Sequence, residues 1–169
     1  TPVLGSAGGP RRALPLLDSD PFVIVNGDTL CDVDLDRMLA AHRASGASVT
    51  MAVVPHPAPD RYNGIAADAG GAVTAFVPRG ERARGTWHFT GVQIASARVF
   101  ADLPDGVAAE SVAGIYREIV RAQPGAIRVF PVDREIVDVG TPRDYLRAAL
   151  RFPPARTFAD ARVSRSVVW

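Results

Sequence analysis

The stretch Pro21-Phe-Val-Ile-Val-Asn-Gly-Asp-Thr29 decides the fold, because an apolar run leads directly into an acidic residue. The apolar residues 22–25 predict a strand buried on both faces, and such strands lie in the middle of parallel sheets covered by helices. Ligands of these sheets bind outside the carboxyl ends of the strands. We therefore expect Asp28 to lie where a metal ion or a substrate binds.

Strand and helix patterns alternate along the rest of the chain. The predicted strands are 22–26, 48–54, 87–95, 127–132 and 135–139, and the predicted helices are 9–17, 34–46, 110–122 and one that starts at Thr141. Residues 64–76 predict a hairpin turned at Gly70-Gly71, and Ser96 is expected to cap a short helix. This order predicts an α/β fold: a Rossmann-like, mostly parallel sheet with helices on both faces and an antiparallel hairpin insertion.

Composition limits the classes of partner. The chain has 169 residues and a net charge of +1, which indicates no bulk attraction to nucleic acid or to a membrane surface. No apolar stretch is long enough to cross a bilayer. Cys31 is the only cysteine, so an internal disulfide is excluded and a cytoplasmic location is expected. All 19 basic residues are arginines, so phosphate contacts must come from arginine or from backbone amides.

Both ends of the chain suggest a longer protein. No methionine and no strand precede the glycine-rich turn near Thr1, so a truncated N-terminus is expected. Apolar residues at 158, 163 and 168 are typical of the first turn of a parallel β-helix, although a plain C-terminal strand fits the pattern equally well.

Besides the segment that contains Asp28, two further motifs contain candidate binding residues. Leu4-Gly-Ser-Ala-Gly-Gly9 precedes a helix, where backbone amides can approach a ligand closely. Asp138, in Asp138-Val-Gly-Thr-Pro142, lies at the end of a short strand and just before a helix. Two carboxylates at one sheet edge, with waters and substrate phosphates, hold Mg²⁺. The alternative for each aspartate is a capping or turn residue. His42, on the apolar face of its helix, is expected to be packed or half-exposed rather than catalytic.

These motifs, with Phe89-Thr-Gly-Val-Gln between them, resemble the sugar-phosphate nucleotidyltransferase family over residues 3–150. Within it, the chain is most similar to bacterial mannose-1-phosphate guanylyltransferases. The resemblance implies a catalytic domain over 1–150, and a linker with the first turn of a left-handed β-helix over 151–169. It also implies transfer of a nucleotidyl group from a nucleoside triphosphate, GTP favoured, to a sugar 1-phosphate, mannose 1-phosphate favoured. Homo-oligomer formation is left open.

The resemblance also implies a role for individual residues. Asp28 and Asp138 would bind Mg²⁺ as the catalytic carboxylates. The remaining implied contacts are, for the nucleotide, Leu4, Gly5, Ser6, Gly8 and Gly9, and, for the sugar phosphate, Gly64, Arg79, Thr90 and Gly91.

The chain departs from the family pattern in places. Pro78-Arg79-Gly80 stands where the family has Glu-Lys-Pro, and Phe89 stands where it has asparagine, which leaves the identity of the sugar open. The family's upstream loop, Gly-x-Gly-Thr-Arg, is not in this sequence. Because that loop holds the triphosphate, we expect these 169 residues alone to turn over poorly or not at all.

Three alternatives stay open at this point. The domain could bind sugar nucleotides without catalysis, as a regulatory module. It could use UTP or dTTP with glucose 1-phosphate. Asp32-Val-Asp34 has the form of a glycosyltransferase metal motif, but its place at a helix start favours capping.

Overall fold

A computed structural model describes residues 2–151 of the chain. The strands are β1 (Phe22–Val25), β2 (Thr29–Cys31), β3 (Val49–Pro55), β4 (Gly64–Ala67), β5 (Val73–Val77), β6 (Trp87–Ala95), β7 (Ile127–Pro131) and β8 (Ile136–Asp138). The helices are α1 (Gly5–Ala13), α2 (Leu35–Ser45), α3 (Arg98–Ala101), α4 (Tyr116–Ala122) and α5 (Pro142–Arg151), with a kinked turn at Ser111–Ile115 before α4.

The main sheet has the order β5-β4-β6-β3-β7, and β1 also pairs with β6. This confirms an α/β fold with a hairpin, β4–β5, but the prediction of a mostly parallel sheet is wrong. Only the β3–β7 ladder is parallel, because β6 runs antiparallel to β1, β3 and β4. Strands β1, β3 and β7 do run in one direction. The alternation of residues 87–95 predicts a strand, but alternation carries no information about strand direction.

Strand β3 is the buried centre of the fold. Its residues 49–54 are all buried, and successive side chains enter different apolar clusters on the two faces of the sheet. Val49, Met51 and Val53 pack in the cluster that includes Tyr116 of α4, whereas Ala52 and Val54 pack with Met38 of α2. Helices therefore cover both faces, as the near-continuous apolar run of β3 requires.

Strand β1 departs from the expectation of burial on both faces. Phe22 is buried, but Val23 and Val25 are 44% and 60% exposed. Within residues 2–151, β1 pairs only with β6, so it lies at an edge of the described sheet. An apolar run of four residues predicts the strand, whereas its neighbours along the sheet are set by distant parts of the chain.

Helix boundaries follow local chemistry in most places. Asp34 caps α2 by accepting a hydrogen bond from the Arg37 amide at 2.9 Å, and Gly46 ends the helix with a left-handed φ of 66°. Two expectations are wrong. Helix α1 begins at Gly5, so the glycine-rich segment is helical rather than a turn before a helix at 9. The Ser96 side chain does not cap α3; Asp20 Oδ1 instead accepts from the Ala97 amide at 2.9 Å.

The predicted β-helix turn over 158–169 lies outside the described residues. Among the helices of residues 2–151, none has the length and apolar character needed to cross a membrane.

Candidate functional site

The small β2–β8 ladder brings Asp28 and Asp138 together. The two strands are antiparallel, with Thr29 opposite Asp138, and the Val139 amide donates to the Asp28 carbonyl at 2.8 Å. Asp28 lies just beyond the carboxyl end of β1, as the sequence predicts, and is exposed. Residues 110 positions apart in the chain thus become neighbours through one short ladder.

The Asp138 carboxylate is held by three donors. Its Oδ1 accepts from the Gly140 amide at 2.9 Å. Its Oδ2 accepts from the Tyr62 hydroxyl at 2.6 Å and from Arg61 Nη2 at 3.2 Å. Neither Arg61 nor Tyr62 was predicted from the sequence, although both directly precede Asn63-Gly64.

Asp144 connects this cluster to the start of α5. Its Oδ2 accepts from Arg61 Nη2 and from the Thr141 hydroxyl, both at 2.7 Å, and its amide donates back to Thr141 Oγ1 at 3.1 Å. Thr141, where the sequence predicts the start of the last helix, therefore caps α5. A Thr-x-x-Asp spacing is close to the capping-box pattern, so this signal could have identified Asp144 from the sequence.

Burial and the bond to Asp138 raise the pKa of Tyr62 to about 12. Tyr62 is therefore a hydrogen-bond donor to Asp138 throughout the neutral pH range. Its ring packs against His88 with centroids 4.6 Å apart, and His88 lies 5.4 Å from His56. Burial, with His56 adding to it, lowers the pKa of His88, so the imidazole stays neutral near pH 7.

The Thr141 hydroxyl and then Arg61 lower the pKa of Asp144 below its ordinary 3.8. A carboxyl group whose pKa is lowered in the fold stabilises the protein above its unfolded pKa and loses that contribution as pH falls through the folded value. We expect the free energy of unfolding, measured in urea, to fall less between about pH 5 and about pH 2.5 for Asp144→Asn than for the wild type. The exposed Asp36→Asn is the control; parallel profiles for Asp144→Asn and the wild type would contradict this account.

A cleft of about 500 Å³ lies beside this cluster. Tyr62 and His88 form part of its wall and also line a smaller cleft of about 200 Å³ that contains Asp138. Two of the predicted contact residues, Ser6 and Gly64, line the larger cleft. The fold therefore places Ser6 of the predicted nucleotide segment and Gly64 of the predicted sugar segment on one cavity, next to the smaller cleft that Asp138 lines.

The glycine-rich segment has a packing role in this structure. A Cβ at Gly5 would lie 2.6 Å from the Ala109 carbonyl oxygen, and a Cβ at Gly8 would lie 2.6 Å from that of Val107. The Ala7 amide donates to the Ala109 carbonyl at 2.8 Å. The glycines thus allow α1 to approach the 107–110 segment closely, and nucleotide binding by Leu4, Gly5, Ser6, Gly8 and Gly9 stays a prediction.

Ser6 carries the polar contacts of that segment. Its hydroxyl donates to Glu110 Oε2 at 2.5 Å and accepts from the Ser111 amide at 2.9 Å. Glu110 and Ser111 also line the larger cleft and were not predicted as site residues. A lone glutamate gives no sequence signal for this contact, because the contact forms only when α1 packs against residues 107–110.

The predicted sugar contacts divide between the cleft and the core. Gly64 lines the cleft, and the Thr86 side chain leaves no room for a Cβ there. Thr90 is 1% exposed, and its hydroxyl donates to the Ala52 carbonyl across the sheet at 3.0 Å. Gly91 has a left-handed φ of 86° and accepts a hydrogen bond from the Asn26 amide at 2.9 Å. The Arg79 side chain is exposed, and its backbone amide donates to Asn63 Oδ1 at 3.0 Å.

Three side chains outside the predicted site have structural contacts. His42 is 4% exposed, with Nδ1 2.8 Å from Thr50 Oγ1, so the prediction of a packed histidine is confirmed. Asp34 caps α2, and Asp32 forms an ion pair with Arg134 at 3.3 Å. Capping therefore accounts for Asp34 without a metal.

The donor set suits Mg²⁺ without forming a complete site. Within residues 2–151, no cluster of three or more His, Cys, Asp or Glu side chains is placed to hold a metal ion. Mg²⁺ commonly takes one or two carboxylates and completes its shell with waters and substrate phosphates. Asp138 lines the smaller cleft, and the exposed Asp28 is bonded through its backbone to the next residue, Val139, so these two carboxylates are the candidates to hold the ion.

Comparison with known proteins assigns the chain to a family. A family model described as nucleotidyl transferase matches residues 2–153. The chain belongs to the nucleotidyl transferase family. The sequence-based assignment to sugar-phosphate nucleotidyltransferases is thereby confirmed at the level of the family.

Named members of the nucleotidyl transferase family differ in nucleotide and sugar. The UTP–glucose-1-phosphate uridylyltransferase of Synechocystis is 32% identical, over 86% of this chain and 39% of that protein. The D-glycero-alpha-D-manno-heptose 1-phosphate guanylyltransferase of Aneurinibacillus thermoaerophilus is 30% identical, over 86% of this chain and 61% of that protein. The mannose-1-phosphate guanylyltransferase of Mycobacterium tuberculosis is 27% identical, over 86% and 41%.

A solved structure supports the fold of this nucleotidyl transferase chain. HddC from Yersinia pseudotuberculosis, complexed with GMP-PN, superposes with a TM-score of 0.72 at 21% identity, over 90% of this chain and 64% of that chain. The three curated relatives above are longer, and the chain spans between 39% and 61% of their length.

Proposed function

We propose that the protein transfers a nucleotidyl group from a nucleoside triphosphate to a sugar 1-phosphate, with Mg²⁺ held by Asp28 and Asp138. The observation that supports this proposal is the β2–β8 ladder, which brings the Asp28 backbone against Val139, the residue after Asp138, beside the smaller cleft that Asp138 lines. GTP and mannose 1-phosphate are favoured, because guanylyltransferases recur among the relatives. Cytoplasmic location and homo-oligomer formation stay predictions.

The reaction needs positioning and charge neutralisation rather than a covalent enzyme intermediate. An oxygen of the sugar 1-phosphate attacks the α-phosphorus in line. The bond from that phosphorus to the bridging oxygen breaks, and pyrophosphate leaves with the electron pair. Magnesium, when bound, neutralises charge on the phosphate oxygens.

Several residues of the chain line the clefts in which this reaction would take place. Gly64 lines the larger cleft, where the Thr86 side chain takes the place that a Cβ would need, and Ser6 fixes the segment of α1 that lines the same cleft. Arg61, Arg147 and Arg151 line the smaller cleft together with Asp138, and each of them pairs with an acidic residue of the same cleft. With no lysine in the chain, such arginines are the side chains able to meet phosphate oxygens.

A non-catalytic sugar-nucleotide binder is the second candidate, and Arg79 favours it. This arginine stands where the family has lysine, yet its side chain is exposed and is not among the residues that line the larger cleft. A pure binder, however, needs no pair of adjacent carboxylates.

An assay of pyrophosphate release by the full-length protein separates these candidates. GTP, UTP and dTTP are each combined with mannose 1-phosphate and with glucose 1-phosphate, and nucleotide-sugar formation is confirmed by mass spectrometry. We expect turnover, fastest with GTP and mannose 1-phosphate. Tight binding of nucleotide-sugar without pyrophosphate release from any pair would support the regulatory binder instead. Faster turnover with UTP or dTTP and glucose 1-phosphate would contradict the guanyl preference.

A further inference from the structure

Hydrogen bonds already occupy most of the Asp138 carboxylate. A carboxylate has about four lone-pair positions, two on each oxygen. Oδ2 uses both of its positions, for the Tyr62 hydroxyl at 2.6 Å and for Arg61 Nη2 at 3.2 Å. Oδ1 uses one, for the Gly140 amide at 2.9 Å. Within the described chain, the acceptor position that remains is on Oδ1.

The two donors on Oδ2 are themselves held in place. Arg61 Nη2 bonds Asp144 Oδ2 at 2.7 Å, and the Asp144 side chain is only 9% exposed. The guanidinium of Arg61 lies 4.8 Å from the centre of the Tyr62 ring, and that ring packs on His88. A cation that needs Oδ2 would have to displace a charged side chain anchored at a second carboxylate.

Cations differ in how many carboxylate oxygens they require. Mg²⁺ demands a tight octahedron at about 2.0–2.1 Å and keeps several waters, whereas Ca²⁺ takes six to eight oxygens and often both oxygens of one carboxylate. We propose that Arg61 and Tyr62 are positioning residues that restrict Asp138 to binding a cation through Oδ1 alone, so that the site favours a small octahedral cation over Ca²⁺. This inference rests on the metal site of the proposed function.

Mn²⁺ binding by the full-length protein, followed by electron paramagnetic resonance, tests the inference without any turnover. Bound Mn²⁺ is displaced by Mg²⁺ and, separately, by Ca²⁺, and the ratio of the two apparent affinities is the readout. Tyr62→Phe removes only the hydroxyl and keeps the ring on His88. We expect it to raise the affinity for Ca²⁺ relative to Mg²⁺ by about tenfold, as the loss of one hydrogen bond to a charged group predicts.

Arg61→Met is the second variant, and it is expected to shift the ratio in the same direction. Because it also removes a partner of Asp144, Tyr62→Phe decides the test if Arg61→Met does not fold. Arg84→Met is the matched control, since Arg84 forms an exposed ion pair with Glu81 at 2.7 Å. The control should keep the wild-type ratio.

The outcomes separate this inference from the proposed function. If Mn²⁺ binds, if Asp138→Asn abolishes that binding, and if the ratio stays unchanged in Tyr62→Phe and in every folded Arg61 variant, the positioning role is overturned while the metal site stands. If the wild type binds no Mn²⁺, or Asp138→Asn binds it equally well, the metal site fails and the inference fails with it. A shifted ratio in a protein that releases no pyrophosphate supports the positioning role and contradicts only the activity.

Discussion

Replacing Asp138 by asparagine is expected to lower kcat/KM for pyrophosphate release by roughly 10²–10³-fold, the range found when one stabilising group is removed from a preorganised site. The substitution keeps the size of the side chain but removes its charge, and it places an amide where the carboxylate accepts from Arg61, Tyr62 and Gly140. Initial rates at saturating Mg²⁺, with GTP and mannose 1-phosphate, measure the effect.

Asp32→Asn is the matched control for this variant. Asp32 is also acidic but fully on the surface, whereas Asp138 is half-buried; it belongs to the alternative Asp32-Val-Asp34 motif, and its partner is Arg134. We expect Asp32→Asn to retain the wild-type rate. An Asp138→Asn enzyme within about threefold of the wild type, or a large loss in Asp32→Asn alone, would contradict the assignment of the site.

Gly8→Ala and Gly9→Ala are expected to have opposite effects on stability, although the glycines are adjacent in α1. A Cβ at position 8 would lie 2.6 Å from the Val107 carbonyl oxygen, whereas a Cβ at position 9 meets nothing within 4 Å. Overpacking at position 8 should lower the free energy of unfolding by about 1–3 kcal/mol. Alanine at position 9 should raise it by about 0.4–1 kcal/mol, because the unfolded chain loses freedom.

Urea and thermal unfolding of the two glycine variants check this contrast. A loss of about 1–3 kcal/mol corresponds to a melting temperature lower by roughly 2–12 °C for a domain of this size. Equal stability of the two variants would show that α1 does not approach residues 107–110 as described. Nucleotide affinity, measured on the same proteins, tells whether Gly9 also serves the ligand.

Local chemistry predicted much of this fold from the sequence. The acid at the end of an apolar run, the Asp34 cap and the Gly46 stop depend on residues close together in the chain, and the structure has all three. The sequence also predicts Asp28 and Asp138 as partners, since each lies at the end of a short strand. The sequence does not predict how their two segments meet. A separate two-stranded ladder joins them, rather than one shared sheet.

Features set by distant contacts were not predictable in the same way. The direction of β6 and the exposed side of β1 depend on which strands become neighbours, and neither leaves a local pattern. Arg61 and Tyr62 belong to a loop with proline on its N-terminal side, and their target lies 76 residues or more away in the chain. The sequence predicts that the glycines of α1 contact the ligand. At Gly5 and Gly8, however, close packing against the backbone also leaves no room for a Cβ.

The most direct test of the central claim is a double-variant cycle on Asp28 and Asp138. Pyrophosphate release by the full-length protein is measured for the wild type, Asp28→Asn, Asp138→Asn and the double variant. Residues that act as one unit give strongly non-additive losses. If the two carboxylates form one metal site, the double variant should be about as slow as either single variant. Losses that multiply, or an Asp28→Asn enzyme with the wild-type rate, would contradict the claim.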